Sequence, residues 1–554
     1  MKRDLAKLSS SQFDILVVGG GIHGALVAWD ATLRGLSVAL IERGDFGSAT
    51  SQNSLKLIHG GLRYLQDGNL SRIRTMARER TTWMRIAPHL VHPLTCLTPT
   101  RENVLRGRFA MGVALTLNDL LSFDRNRSMD PQKHLSGGSL VNKQELSRLL
   151  PGYDVNSSTG AVVWHDAQIY NSERLLLEFL LSAVEKGAEV ANYVEAIDFL
   201  QKEKQIAGVR VRDVPTGELF DIQAKVVINC AGAWVDKLLE QADTRSEHAI
   251  SIAMNLIVDQ VWSRVAAGLP SLPAAGRPSR ILFFVPWRDK TMVGTWHIPW
   301  NDSPDEFKMT ETVVQKFIDE INSAHPRLKL TLEGVRHVTW GFLPVNKADA
   351  HRESVRLTRD GVVIDHQKKD GISGLISVLG VKYTTARTVA RQAVDLAASR
   401  LDRKTARCQT HITPIHGGWI GDFKAFLNQA LVRAPRVMNE EIIEHLVYTY
   451  GSDYQHFAND MIEYPETRQR IDPHLPITRS EVLHAVRHEM ALTLRDVIQR
   501  RTELGSAGLP ASGILQKCAE LMGNELGWSL EHRQREIDTV IQAYPLKSLE
   551  RVTA

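Results

Sequence analysis

FDILVVGGGIHGALVAWDATLRGLSVALIE, residues 13–42, is the stretch on which the reading of this chain turns. Ile15 to Val18 form a short apolar run of the kind that fills a fully buried parallel strand. Gly19, Gly21 and Gly24 complete a G-x-G-x-x-G turn, Ala25 to Leu33 continue as a helix, and Gly35 ends it. Val38 to Ile41 make a second buried strand, closed by Glu42. Gly19 permits the tight turn, Gly21 lets a pyrophosphate approach the backbone, and Gly24 lets helix and strand pack closely. The phosphates of a ligand would then lie on the unpaired N–H groups of the helix N-terminus. Glu42 stands where a carboxylate accepts hydrogen bonds from ribose hydroxyls. Strand, turn, helix, strand and acid all fall in place, which predicts a dinucleotide site and leaves open which dinucleotide.

At 554 residues the chain is too long for one ordinary core, and two or three domains are expected. Its 43% hydrophobic and 23% charged residues are those of a globular protein in water. The balance of 67 basic and 63 acidic residues, net +4, gives no reason to expect nucleic acid as a partner. A pI of about 8.7 does not oppose contact with an anionic membrane surface. Cys96, Cys230, Cys408 and Cys518 have no C-x-x-C spacing, which argues against a zinc site and a disulfide framework, so no metal is expected. A reducing, cytoplasmic location fits. The opening MKRDLAKLSSSQFD lacks the apolar core of a signal peptide, and a fold beginning near Phe13 leaves no room for a transit peptide. With no uncharged apolar run of about 18 residues, no membrane-spanning helix is expected.

Beyond Glu42, the segment RGDFGSATSQNSLKLIHGGLRYLQDG (43–68) reads as a loop or broken helix lining a ligand. Leu70 to Ile86 is helical in pattern, and Glu173 to Lys186 is an amphipathic helix leading to a strand at Ala188 to Tyr193. The apolar stretch Phe109 to Leu121, bracketed by Arg106, Arg108, Arg125 and Arg127, reads as a buried helix first and a membrane contact second. Gln205 to Arg212 and Phe220 to Gln223 suggest a hairpin about Pro215-Thr216-Gly217, with Lys225 to Asn229 as a separate buried strand. Ile281 to Val285 and Thr291 to Thr295 alternate like antiparallel strands. Arg356 to Asp365 repeats that pattern, and Leu375 to Leu379 is a buried strand ending at Gly380. From about Thr410 the chain turns helical, and Thr478-Arg479-Ser480-Glu481 is a capping box predicted to open a long helix through Arg501. Dinucleotide-type strands thus occur in three distant pieces with hairpins between them, an interleaving common in flavoproteins. The expected division is 1–75, 155–240 and 345–405 for the nucleotide domain, 76–154 and 241–344 for a substrate domain, and 410–554 for a helical domain.

Four motifs then carry a resemblance: VVGGGIHGA (17–25), KLIHGGLRYL (56–65), INCAGAW (228–234) and GVKYTTAR (380–387). Through them the chain resembles, over essentially its whole length, the FAD-dependent, quinone-linked glycerol-3-phosphate dehydrogenases of the D-amino-acid-oxidase-like flavoproteins. The resemblance implies an α/β fold, α+β overall. It comprises a Rossmann-like doubly wound FAD-binding domain, an interleaved antiparallel-sheet substrate domain and a helical C-terminal domain. It implies FAD held by Gly19, Gly21, Gly24 and Glu42, by Thr50, Ser51 and Ser54, by Ala231 and Gly232, and by Gly380, Lys382, Thr384 and Thr385. The helix from Ala386 would direct its N-terminus at the flavin N1/C2 carbonyl, where charge builds on reduction.

In such enzymes the substrate alcohol gives a hydride to flavin N5 while a base takes its hydroxyl proton. His59 is assigned as that base and Lys382 as electrostatic partner, the reverse assignment remaining open. Arg63 joins them as a catalytic and phosphate-binding residue, with Arg359 as a second phosphate ligand and Tyr64, Trp296 and His297 facing the substrate. Departures from the family pattern gather on that side. Leu343 stands for the arginine of a G-x-R-P run, Trp296-His297 for T-[DE], Gln168 for the arginine of D-A-R, Val381 for a glycine and Leu55 for a serine. Arg336 and Lys347 are candidates to replace the lost charge. The expected substrate is glycerol 3-phosphate, with another polyol phosphate or a hydroxy acid as alternative and a non-catalytic flavin-binding paralogue as a third reading. A membrane quinone is the expected acceptor, oxygen the alternative. The resemblance further implies a peripheral position on the inner face of the cytoplasmic membrane, and leaves a homodimer open.

Overall fold

The architecture comes from a computed structural model that describes residues 1–62, 64, 68–102, 107–127, 129–272, 279–346, 358, 360–435 and 438–546. Arg63, Arg106, Lys347, Arg356 and Arg359 lie outside the described residues.

The quoted stretch folds as its pattern predicts. Strand Gln12–Val18 runs into helix Ile22–Leu33 and then strand Val38–Ile41, parallel to the first. The helix is apolar on nearly every side and is buried accordingly, packed against helices Ser172–Glu185 and Tyr383–Ala398. A Cβ on Gly24 would lie 1.9 Å from the Gly19 carbonyl oxygen, so only glycine lets helix and turn meet here. Gly19 has φ +109° and sits against the Cys230 carbonyl, which would be 2.6 Å from a Cβ.

Among the described residues, eight strands form the first sheet. Its main path runs Val362–Asp365, Leu375–Leu379, Leu219–Asn229, Gln12–Val18, Val38–Ile41, Glu189–Ala191. Four of its pairings are parallel, and they bring the three sequence-distant pieces together: Val17 lies beside Ile228, and Val227 beside Leu375. The predicted hairpin strand and the predicted buried strand after it are one continuous strand, Leu219–Asn229. Residues 219–223 pair antiparallel with Gln205–Asp213, and residues 227–229 pair parallel with Leu375–Leu379 along the same edge. The change from alternating to continuous apolar residues marks the change of partner and of burial, not a break in the backbone.

Among the described residues the second sheet has nine strands, in the order Val335–Asn346, His248–Asp259, Lys290–Trp300, Ile281–Trp287, Ala266–Pro270, Val91–Thr100, Gly160–Ile169, Leu57–Ile58, with Ser139–Val141 paired to Gly160–Ile169. The boundary expected at 155 falls short of this sheet's end, because Gly160–Ile169 pairs with Val91–Thr100 along its whole length. The 57–58 strand, too short to show a period, joins the same sheet.

Two helices depart from expectation. Arg108–Leu121 is helical but not buried: only Leu115 and Asn118 are covered, while Phe109 is 87% and the following Phe123 76% exposed. The capping box at Thr478 and Glu481 is present, yet its helix ends at His488 rather than Arg501. Met490 takes φ +56°, Thr493 and Asp496 build a second capping box, and Val497–Arg501 is a π-helical turn. That turn aims Arg500 and Arg501 at the buried carboxylate of Asp45, three residues beyond Glu42, with Arg501 Nη1 and Nη2 each 2.7 Å from it. Burial pushes the Asp45 carboxyl up, and the two guanidinium groups outweigh this to hold it well below the carboxylate range.

Candidate active site

A cavity of about 1530 Å³ opens between the two sheets, with the glycine turn at one end and the 281–300 hairpin at the other. At the glycine end the helices Ile22–Leu33 and Tyr383–Ala398 both begin on the cavity. Their N-cap residues, Gly21 and Lys382, provide no side-chain cap. Two helix N-termini whose N-cap residues give no capping side chain face one space and form a site for electron-rich groups. Ser51 Oγ accepts from Ile22 N–H at 3.0 Å, so this side chain reaches the first turn of the nucleotide helix. Glu42 is half-buried and accepts from Gly20 N–H (2.7 Å) and Gly44 N–H (2.9 Å). Burial raises its pKa, and these two donors counter the rise.

Thr50 fastens the loop to the second sheet, accepting from Phe342 N–H at 2.9 Å and donating to its carbonyl at 3.1 Å. Ser54 Oγ accepts from Lys56 N–H at 3.3 Å. Ala231, Gly232, Gly380, Lys382 and Thr384 line the cavity with these residues. Thr385 does not: it is buried one position further into the helix, on a face turned from the cavity. His23, unremarked in the sequence, also lines the space. Its Nε2 is buried without a partner, burial lowers its pKa to about 4, and a Cβ on Gly380 would collide with its ring. An orphaned nitrogen, two helix N-termini on one space and glycines that admit no Cβ fit a flat, anionic dinucleotide such as FAD.

At the other end stands His59. Its Nδ1 lies 3.4 Å from Asp166 Oδ2, and its backbone N–H donates to Thr384 Oγ1 at 3.1 Å, tying it to the cofactor segment. Asp166 is buried and further accepts from Gly60 N–H (2.6 Å), Arg80 Nη1 (3.0 Å) and Trp164 Nε1 (3.1 Å). Burial pushes its carboxyl up, but the contacts with His59, Arg80 and Gly60 hold it well below the usual range. An ionised carboxylate only accepts, so the contact with Asp166 is one in which His59 Nδ1–H donates. Asp166 is the aspartate of the Asp166-Ala167-Gln168 run. Its role rests on a pairing across 107 residues, which no local signal announces.

This geometry also explains the His-Gly-Gly motif. A Cβ on Gly60 would lie 1.9 Å from the Arg80 guanidinium, and Gly61 has φ +92°. Lys56, at the head of the motif, is buried against Glu173 (2.8 Å) and Ser172 (2.7 Å). Across the cavity Lys382 donates to the Tyr64 hydroxyl, and the Tyr64 ring lies beneath both Lys382 (4.8 Å) and Arg72 (4.3 Å).

The expected substrate side is partly rearranged. His297 and Leu343 line the cavity, as do Val381 and Leu55. Trp296 does not: it stacks on Phe317, donates to Glu320 at 2.8 Å and belongs to the core behind the sheet, the opposite face from His297. Gln168 donates to the Pro286 carbonyl and lies off the cavity. Arg336 is clamped by Asp259 at the surface and also lies off it. Arg280, which no motif marked, lines the cavity but is held by Glu320 at 2.7 Å. Met111 and Ala114 place one face of the exposed 108–121 helix on the cavity.

Residues 14–396 match the family described as FAD dependent oxidoreductase, and residues 408–533 match the C-terminal domain of alpha-glycerophosphate oxidase. The chain is 32% identical to the glycerol-3-phosphate dehydrogenase of a Synechocystis species, over 98% of this chain and 97% of that one. It is 29% identical to the aerobic glycerol-3-phosphate dehydrogenase of Staphylococcus haemolyticus, over 91% and 89%. The glycerol-3-phosphate dehydrogenase of Bacillus halodurans, solved with FAD, shares the fold at a TM-score of 0.76 and 24% identity, over 97% of this chain and 95% of that one. The chain belongs to the FAD dependent oxidoreductase family, among the glycerol-3-phosphate dehydrogenases, and its cofactor is FAD.

Proposed function

We propose that this protein oxidises the secondary alcohol of glycerol 3-phosphate to the ketone of dihydroxyacetone phosphate and passes the electrons to a membrane quinone. The observation that carries this reading is His59. It is tautomer-fixed by Asp166 and stands across the same cavity that holds the glycine turn and the two helix N-termini. FAD bound there supplies a two-electron hydride acceptor. His59 Nε2 takes the hydroxyl proton, Asp166 orients the ring and stabilises the imidazolium, and Lys382 with Tyr64 stabilises negative charge on the substrate oxygen. Ser51 and the first turn of helix Ile22–Leu33 bind the pyrophosphate, with Glu42 at the ribose. His297, which lines the cavity, would face the substrate.

Leu343 on the cavity wall favours a second reading, a different polyol phosphate or a hydroxy acid, because no guanidinium is available at that position. Anaerobic bleaching of the flavin decides. Reduction by glycerol 3-phosphate supports the first reading, selective reduction by another compound of a polyol-phosphate and hydroxy-acid panel supports the second, and no reduction by any overturns both.

The acceptor is proposed to approach along helix Arg108–Leu121. Phe109, Val113, Leu120 and the following Phe123 form an exposed apolar face beside Arg108 and Arg127, while Met111 and Ala114 touch the cavity. Among the described residues no helix is long and apolar enough to cross a bilayer, so contact would be through this face. Phe109→Ser with Phe123→Ser should lower sedimentation with anionic phospholipid vesicles and quinone turnover together. Unchanged vesicle binding would remove the face from the proposal.

A further inference from the structure

Three imidazoles meet on the C-terminal helices, and none of them lines the flavin cavity. His484 and His488 sit one turn apart on helix Arg479–His488, so both project from one face. His456 joins them from the neighbouring helix Tyr454–Glu463. One nitrogen of each lies within 4.8 Å of the others, and the ring centroids are 4.9 to 5.5 Å apart.

His484 carries the second observation. Its side chain is 10% exposed, its Nε2 stands 3.4 Å from the buried carboxylate of Glu489, and its Nδ1 is buried without a hydrogen-bond partner. A carboxylate on one ring nitrogen and an empty direction on the other is how a metal-ligating imidazole is held. Glu489 is itself fixed by Arg174, and Arg501 reaches both its backbone carbonyl and Asp45. Asp460, 3.7 Å from His456, adds a nearby negative charge, and Arg487 beside it is occupied by Glu525.

We infer that His456, His484 and His488 form a site for a divalent transition metal that prefers imidazole, Zn²⁺ first. Three nitrogens would bind it and water would fill the remaining position. The i, i+4 pair with a third ligand from an adjoining element is a spacing that suits such a metal. The expectation of no metal rested on cysteine spacing, and cysteine takes no part in this cluster. The metal clamps helix Tyr454–Glu463 to helix Arg479–His488. Through Glu489 it is joined to the charges that seat the π-helical turn on Asp45. Its role is structural, separate from the oxidation of substrate.

The test uses untagged full-length protein with FAD bound, treated with chelator and titrated with Co²⁺ and then Zn²⁺. One Co²⁺ per chain should develop d–d absorption that Zn²⁺ abolishes, and Zn²⁺ should raise the Tm. His456→Ala and His488→Ala, both at partly exposed positions, should each weaken Co²⁺ binding more than about tenfold and remove the Tm shift. Both variants should keep the metal-free rate of flavin reduction. Absence of one-per-chain Co²⁺ binding at micromolar concentration overturns the inference, and so does wild-type affinity in both variants.

Discussion

The two ends of the cavity are built by different means. The cofactor end is made largely of backbone: a glycine turn, two helix N-termini and carbonyls that approach where no Cβ fits. The end proposed for substrate rests on side chains brought from distant segments, with His59, Asp166 and the Arg80 that holds Asp166 drawn from three separate stretches. A backbone site tolerates few substitutions and leaves a compact local signature. A side-chain site can change its chemistry one residue at a time, and of the departures from the family pattern Leu343, His297, Val381 and Leu55 line the cavity while Trp296 and Gln168 lie off it.

If this contrast holds, damage at the cofactor end should be all-or-none and damage at the substrate end graded. Gly24→Ala comes first. Its methyl would overlap the Gly19 carbonyl, and the strain should exceed about 3 kcal/mol, leaving protein that is purified without FAD or fails to fold. The flavin absorbance of the purified variant checks this, and normal FAD content would break the comparison. His59→Ala is second: kcat should fall about 10³-fold with the flavin spectrum retained. Asp166→Asn should lower kcat as well, with the base kept but its orienting carboxylate lost. It should also change the pH profile of kcat/KM, because the amide no longer holds the proton on Nδ1.

Asp166→Asn tests stability as well. The folded-state pKa of Asp166 is depressed, so its stabilising contribution is present above the ordinary aspartate range and lost as pH falls through the folded value. The variant should therefore be less stable than the parent at neutral pH, with the gap closing in acid. Chemical denaturation at several pH values reads it. Leu343→Arg should have the smallest effect, a severalfold lower KM for glycerol 3-phosphate with kcat kept. A KM unchanged or raised would sharpen the comparison toward a different substrate.

How far the sequence could be read follows the same line. Apolar runs at Ile15, Val38, Val226 and Leu375 place the parallel sheet, and the helix Leu70–Ile86 coincides with its periodic stretch. The 57–58 strand is too short for a period, and the 160–169 strand joins the second sheet by a pairing that only the folded chain defines. Trp296 is expected in the cavity from the family position alone; neighbouring strand residues face opposite sides, so with His297 on the cavity Trp296 packs behind the sheet. The 479–501 segment reads as one helix because it contains no glycine or proline to mark a break. The break at Met490 is imposed by Glu489 and Arg501 seeking buried partners. The exposed helix at 108–121 has the composition of a core helix, and composition cannot say whether protein or lipid covers it.

The central claim is that His59 serves an FAD-dependent oxidation of glycerol 3-phosphate. Anaerobic rapid mixing of the enzyme with glycerol 3-phosphate, followed by flavin absorbance, tests it most directly. The account predicts fast bleaching in the parent and bleaching slowed about 10³-fold in His59→Ala at equal FAD content. A parent that glycerol 3-phosphate does not bleach, or a variant that bleaches at the parent's rate, would contradict it.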